Sequence, residues 1–289
     1  MRSMKIGVIL DSFKTDLPTS LAQAVRIGAT GVQIHAIGSL VDLDYYDCHR
    51  RKELLDRIKS SGLEVSAICG DLGGHGFSIR EMNKNRIERS KRILDFAKDL
   101  ECSIVTTHIG VVPDDKSHDR WSILQEACEE LGRYSASLDG FYAIETGPEK
   151  SQTLKCFIDS LHTRGIAVNM DPANLVMVIG ENPSDSVRTL GNLIVHTHAK
   201  DGRMVTKGDA ETIYGHFANG GISNLHLEDY FQEVPLGEGT VDFDSYLAAL
   251  RDIGYHGFLT IEREVGETPE RDIQNAVAYL RKKLQESGL

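Results

Sequence analysis

The segment IVHTHAKDG, at 194–202, sets two imidazoles, an ammonium and a carboxylate behind a short apolar run. Side chains along a strand repeat every second residue, so His196, His198 and Lys200 share one face, with Ile194 deeper on it. His198 stands nearer the end of the run and is the better metal ligand. His196 fits either a core position or a place behind the ligand, where it would orient a neighbour. Carboxylates occupy the same position in other strand-like runs: Glu145 in AIETG, Asp171 in NMDPANL, and Glu262 followed by Glu264 in LTIERE. Unpaired buried charge is costly, so packing alone does not place carboxylates at successive strand ends. Three carboxylates and one imidazole form a hard, oxygen-rich donor set. It suits one divalent cation, Mn²⁺ first, with Mg²⁺, Co²⁺ or Zn²⁺ as alternatives. Such an ion acts as a Lewis acid on a carbonyl.

Positioning these groups requires a repeating scaffold. Short β-branched runs begin at Lys5, Gly31, Leu63, Ser103, Gly140, Gly165, Asn192 and Gly257, and each is followed by an amphipathic segment. Helices are expected over 17–29, 50–60, 83–100, 121–137, 152–164, 184–190, 243–253 and 269–286. Pro18 and Pro269 stand near helix starts. Gly28, Gly62, Gly165 and Gly254 fall between helix and strand, where a left-handed cap belongs. Eight strand-then-helix units predict an α/β fold, a single-domain (β/α)₈ TIM barrel over 1–289. A doubly wound open sheet would place a glycine-rich turn after the first strand, and ILDSFKTD has none. The stretch 203–240 reads as irregular and too long for a plain connector, so it is expected to cover the active-site face.

In a barrel the C-terminal strand ends surround the active site. Those ends carry Asp11, His35, Asp71 with His75, His108, Glu145 with Glu149, Asp171 with Asn174, His198 with Lys200, and Glu262 with Glu264. His108 is expected as a substrate contact or as support for a ligand. Lys200 is expected either to meet substrate or to pair with Asp201. Glu149, His216 and Asn219 are candidate specificity residues.

Composition narrows the partners. The chain has 289 residues, is 40% hydrophobic and carries a formal net charge of -11, so an obligate nucleic-acid partner is not expected. No apolar run approaches the roughly 20 residues of a membrane span, and no signal-peptide pattern opens the chain. Cys48, Cys69, Cys102, Cys128 and Cys156 are scattered and form no CxxC, which fits free thiols in a reducing, cytoplasmic setting. Apolar helix faces outside a barrel permit a homo-oligomer.

The motifs ETGPE, NMDPANL, HTHAKD, PLGEGTVDF and FLTIERE resemble those of the xylose isomerase-like TIM-barrel superfamily. Within it they look most like the sugar (phosphate) isomerase and epimerase branch, which includes ketose 3-epimerases and inosose-processing enzymes. The resemblance implies a divalent metal held by Glu145, Asp171, His198 and Glu262, with Glu145 and Glu262 also serving as the acid/base pair. It implies proton abstraction alpha to a carbonyl through a metal-stabilised enediolate. His108, Glu149, Asn174, Lys200 and Arg203 are the candidate substrate-binding residues. Two positions depart from the ketose 3-epimerase pattern. Asn174 replaces a histidine, and Met204, with Arg203 beside it, replaces an arginine. The same site would serve a keto-sugar or inosose dehydratase or lyase, and a non-catalytic sugar-binding barrel is the reading of another class. A three-zinc apurinic-site endonuclease would need histidines where Cys69 and Asn174 stand. No arginine cluster or glycine nest marks a phosphate, so a neutral sugar or cyclitol is the expected ligand.

Overall fold

The first strand, β1 (Lys5–Ile9), is buried along four of its five residues and pairs in parallel with two neighbours, β2 (Gly31–His35) and the last barrel strand. That pairing closes the sheet. The computed structural model describes residues 3–38, 40–222 and 225–287. Around the barrel follow β3 (Glu64–Cys69), β4 (Ile104–Thr107), β5 (Phe141–Glu145), β6 (Ile166–Met170), β7 (Ile194–Ala199) and β10 (Phe258–Ile261), all parallel. The hairpin strands β8 (Asp201–Met204) and β9 (Phe231–Val234) lie outside the barrel sheet. The expected single-domain α/β barrel is therefore the fold.

Helices join the strands: α1 (Leu17–Ile27), α2 (Cys48–Ser60), α3 (Arg80–Asp99), α4 (Asp119–Ser137), α5 (Ser151–Ile158), the one-turn α6 (Pro172–Asn174), α7 (Pro183–Leu190), α8 (Ala210–Ala218), α9 (Phe243–Asp252) and α10 (Pro269–Glu286). Local chemistry sets their ends. Asp16 caps α1 by accepting from Thr19 N–H at 2.8 Å, and Pro18 follows in the first turn. Gly28 ends that helix in the left-handed region at φ 80°, as its position predicts. Gly165 departs from that expectation: its φ is not left-handed. A Cβ there would lie 2.0 Å from the Gly132 carbonyl oxygen, so close approach of β6 to α4 is what requires glycine.

Among its described residues the stretch 203–240 is irregular only in part. It holds most of the antiparallel β8–β9 hairpin, with Asp201 opposite Val234 and Met204 opposite Phe231, and it holds α8. These elements form a small apolar cluster of their own on Ala173, Met177, Val178 and Ile213, separate from the main core. Burial of that face, rather than a continuous periodic signal, fixes the segment. Among the described residues no helix is long and apolar enough to cross a membrane.

Two strand pairings carry register shifts: Ser66 of β3 is the extra residue opposite Val32 and Gln33 of β2, and Val195 of β7 is the extra residue opposite Val168 and Asn169 of β6. Such bulges bend a strand and re-aim the following side chain. Gln33 and Asn169 both meet the functional site described next.

Candidate functional site

Glu145 ends β5, Asp171 follows β6 and caps α6, His198 lies near the end of β7, and Glu262 follows β10. Their donor atoms all lie within 4.8 Å of one another. His198 Nδ1 is 3.2 Å from Asp171 Oδ2, 3.3 Å from Glu262 Oε2 and 3.7 Å from Glu145 Oε1. Asp171 and His198 are sealed from solvent, at 0% and 1% exposure, so their charges have only each other and the neighbouring side chains to answer them.

The groups behind the donors fix their orientation. Asn169 Nδ2 donates to Glu145 Oε2 at 3.0 Å, and Asn174 Nδ2 donates to Glu145 Oε1 at 3.0 Å. Asp171 Oδ1 accepts from the Asn174 N–H at 2.9 Å, which leaves Oδ2 facing His198. His196 Nδ1 donates to Asn169 Oδ1 at 2.8 Å, and His196 Nε2 accepts from Thr260 Oγ1 at 3.0 Å. A chain therefore runs Thr260, His196, Asn169, Glu145. Burial, and then the charge of His198, push the His196 pKa well below its usual value, so the imidazole stays neutral in this chain. His198 Nε2 lies 3.3 Å from Gln33 Oε1, and the Gln33 amide nitrogen in turn reaches Thr106 Oγ1 at 3.5 Å. Burial works to lower the His198 pKa, yet Glu262 and Glu145 raise it well above its usual value, so both ring nitrogens carry protons, Nε2 toward that carbonyl and Nδ1 toward the carboxylates; a cation held there would take the place of the Nδ1 proton.

Electrostatics separate the two glutamates. Burial raises the Glu145 pKa beyond the opposing pull of His198 and His108. Burial also acts to raise Glu262, but Lys200 and His198 outweigh it and hold that carboxyl well below the ordinary range. Lys200 Nζ sits 3.0 Å from Glu262 Oε2 and also pairs with Glu264. Of the two expectations for Lys200, pairing with Asp201 is the one that fails. Asp201 instead accepts four backbone N–H groups, from Gly202 at 2.8 Å, Gly237 at 2.9 Å, Gly239 at 3.0 Å and Val241 at 3.2 Å. A carboxylate saturated by backbone donors has no need of an ammonium partner.

The cluster opens into a cavity of about 960 Å³. His108 lines it, with Nδ1 2.9 Å from Asp71 Oδ2 and Nε2 3.8 Å from Glu145 Oε1. Burial works to lower the His108 pKa, yet Glu145 and Asp71 raise it to about 10. Above it stands the Tyr214 ring of α8, 5.8 Å between centroids. A Cβ on Gly147 would lie 2.4 Å from the Tyr214 hydroxyl, so glycine there admits the tyrosine.

The remaining candidates separate by position. Asn174, Lys200, Glu264, His35 and His75 line the cavity, and His75 Nε2 lies 3.2 Å from Asn219 Oδ1. Glu149 is buried and is not among the cavity-lining residues; its Oε2 accepts from the Val112 N–H at 3.1 Å and its Oε1 has no hydrogen-bond partner. Burial pushes its pKa up to about 8. Arg203 is exposed on β8 and is not among the cavity-lining residues. His216 Nδ1 accepts from the Ile222 N–H at 3.0 Å and so closes the turn after α8. Asp11 is half-buried with Oδ2 unpartnered. Sequence reasoning missed Gln33, Asn169 and Tyr214. Gln33 and Asn169 each carried one local signal, an amide inside an otherwise apolar strand.

A closed barrel of eight parallel strands with this donor set at its strand ends defines a TIM barrel with a candidate metal centre, and comparison with known proteins gives its family. Residues 21–283 match the family model described as "Xylose isomerase-like TIM barrel", and the chain belongs to that family. It is similar to a solved xylose isomerase domain protein of Planctomyces limnophilus, at 25% identity and TM-score 0.80, over 99% of this chain and 98% of that one. Protein MJ1311 of Methanocaldococcus jannaschii is 26% identical over 73% of this chain and 67% of its own length. The L-ribulose-5-phosphate 3-epimerase UlaE of Salmonella paratyphi C is 36% identical over a shorter stretch, 24% of this chain and 27% of the epimerase.

Proposed function

We propose that the chain is a divalent-metal-dependent sugar isomerase or epimerase that works by moving a proton alpha to a carbonyl. The observation that carries this reading is the convergence of Glu145, Asp171, His198 and Glu262, with donor atoms within 4.8 Å of one another. The donor set fits a cation on two further grounds. Glu262 Oε2 is buried without a well-formed hydrogen bond, although Lys200 and His198 lie beside it. Asn169, Asn174 and Gln33 hold the other donors in place, as partners of metal ligands do. A bound divalent ion, with Mn²⁺ the first choice, supplies Lewis-acid polarisation of substrate oxygens and lowers the cost of enediolate charge.

The protein's own groups carry the proton. Glu145 and Glu262 leave β5 and β10, which β6 and β7 separate, so they reach the substrate from different sides. Glu262 takes the alpha proton, and the C–H electron pair passes into the enediolate. Glu145 delivers a proton to carbon on its own side, and no net oxidation occurs. Lys200 holds Glu262 in place while its own charge is balanced by Glu264. His108, oriented by Asp71, faces the cavity as a donor to a substrate oxygen. Asn174 is committed to Glu145 and to the Thr146 carbonyl, so it positions the acid more than it reads the sugar.

The test is proton NMR in D₂O with added Mn²⁺, across ketoses, keto-sugars and inososes. The native chain is expected to exchange the alpha proton of its substrate. Glu262→Gln is expected to bind that substrate and lose at least about a hundredfold in exchange rate. Exchange at the native rate in that variant removes the base. A product that has lost water moves the assignment to a dehydratase. Binding of substrate without any exchange moves it to a sugar-binding barrel.

A further inference from the structure

The cavity is larger than a sugar held on the buried cluster requires, and its outer part is chemically different. At about 960 Å³ it lies near the upper end of the range of roughly 300–1,000 Å³ for pockets that enclose drug-sized molecules. A single monosaccharide fills only a fraction of it. Tyr214 stands over His108, and Phe217, one turn further along α8, continues the wall with ring centroids 6.4 Å apart. Leu227 and Phe231 line the cavity from the connector and β9, and Val265 from the loop after β10. Phe217 and Val265 are 56% and 49% exposed, so both keep large apolar surfaces uncovered while facing the cavity.

This wall is held in place. Glu211, near the start of α8, pairs with Arg120 of α4, and Asn219, just past its end, meets His75 at 3.2 Å. The apolar surface is thus pre-formed, which lowers the cost of using it for binding.

The charge of the lining limits what else the ligand carries. Seven carboxylates line the cavity against two permanent cations, Lys200 and Arg120. Lys200 is engaged by Glu262 and Glu264, and Arg120 by Glu211. A divalent ion at the cluster still leaves the lining net negative. A phosphorylated sugar would meet repulsion there and find no unpaired lysine or arginine among the described residues of the lining.

We propose that the substrate is a neutral keto-sugar bearing an apolar substituent, with its ring carbonyl at the cluster and its substituent against Phe217, Phe231 and Val265. This inference rests on the proposed function, because it places the sugar at the metal cluster.

The test is calorimetric titration of the Mn²⁺-loaded chain with methyl and phenyl β-D-glucosides and β-D-galactosides as carbonyl-free analogues, with glucose and glucose 6-phosphate as the charge pair. At least one phenyl glycoside is expected to bind about tenfold more tightly than its methyl counterpart. Phe217→Ala is expected to remove most of that advantage and to leave methyl-glycoside affinity unchanged. Glucose 6-phosphate is expected to bind more weakly than glucose. The inference is overturned if neither phenyl glycoside exceeds its methyl partner, if Phe217→Ala keeps the full advantage, or if the phosphate binds more tightly. Metal content measured on the same samples separates the two readings. A metal-loaded chain with no phenyl preference sinks this inference alone, and a metal-free chain that keeps the preference sinks the metal reading alone.

Discussion

His198 shows how much of the site depends on a neighbour that binds nothing itself. Its Nε2 lies 3.3 Å from Gln33 Oε1 and 3.2 Å from Asn169 Nδ2, and the ring so held turns Nδ1 toward the carboxylates. A strand-two amide thus tunes a strand-seven imidazole. Gln33→Ala should leave the barrel folded, since it removes one side chain from a polar layer already populated by Thr106, Asn169 and His196. Mn²⁺ affinity should fall about 10- to 100-fold, the usual cost of losing a group that orients a ligand. Titration calorimetry reads the change, and native affinity in the variant would show that Gln33 does not orient the ring. His196 was legible as a residue standing behind the ligand because it shares the His198 face two positions earlier. That Asn169 would be its partner was not legible, because the bulge at Val195 of β7 sets Asn169 opposite His196.

At the scale of elements, the hairpin β8–β9 depends on Asp201. That carboxylate is 1% exposed and ties the 237–241 backbone to the end of β7 through three N–H groups, with the Gly202 N–H as a fourth donor. Asp201→Ala would strand several buried donors at once and should lower stability by about 1–3 kcal/mol. Thermal unfolding measures it, and an unchanged midpoint would mean that water replaces the carboxylate. The eight barrel strands and their helices were readable because each carries its own periodicity. The connector at 203–240 was not, because α8 and the hairpin are stabilised by docking on Met177 and Val178. Gly165 belongs to the same class of miss: its position between helix and strand looked like a cap, while the constraint is contact with α4.

For the whole molecule, the cluster is a point where three of four strand ends carry mutually repelling charge. Glu145, Asp171 and Glu262 converge, with His198, Lys200 and His108 to offset them. A cation that binds the folded chain and not the unfolded one stabilises it by mass action, about 2.7 kcal/mol at a hundred times its dissociation constant. Added Mn²⁺ should therefore raise the unfolding midpoint, and a chelator should reverse the rise. His198→Ala should abolish the response. A midpoint indifferent to Mn²⁺ in the native chain would count directly against the metal centre.

The sequence by itself determined the class of fold, the four donors and the strands that carry them. These are local properties: alternation fixes which side chains share a face, and the Gly and Pro breaks after each run mark where a strand ends. Only the tertiary structure decided that Gln33 and Asn169 hold the donors, that Lys200 answers Glu262 and Glu264, and that α8 lays Tyr214 and Phe217 along the cavity. Those outcomes depend on register between strands far apart in the chain, on two bulges, and on which charges are forced to share one buried volume. No periodic pattern along a single segment encodes them.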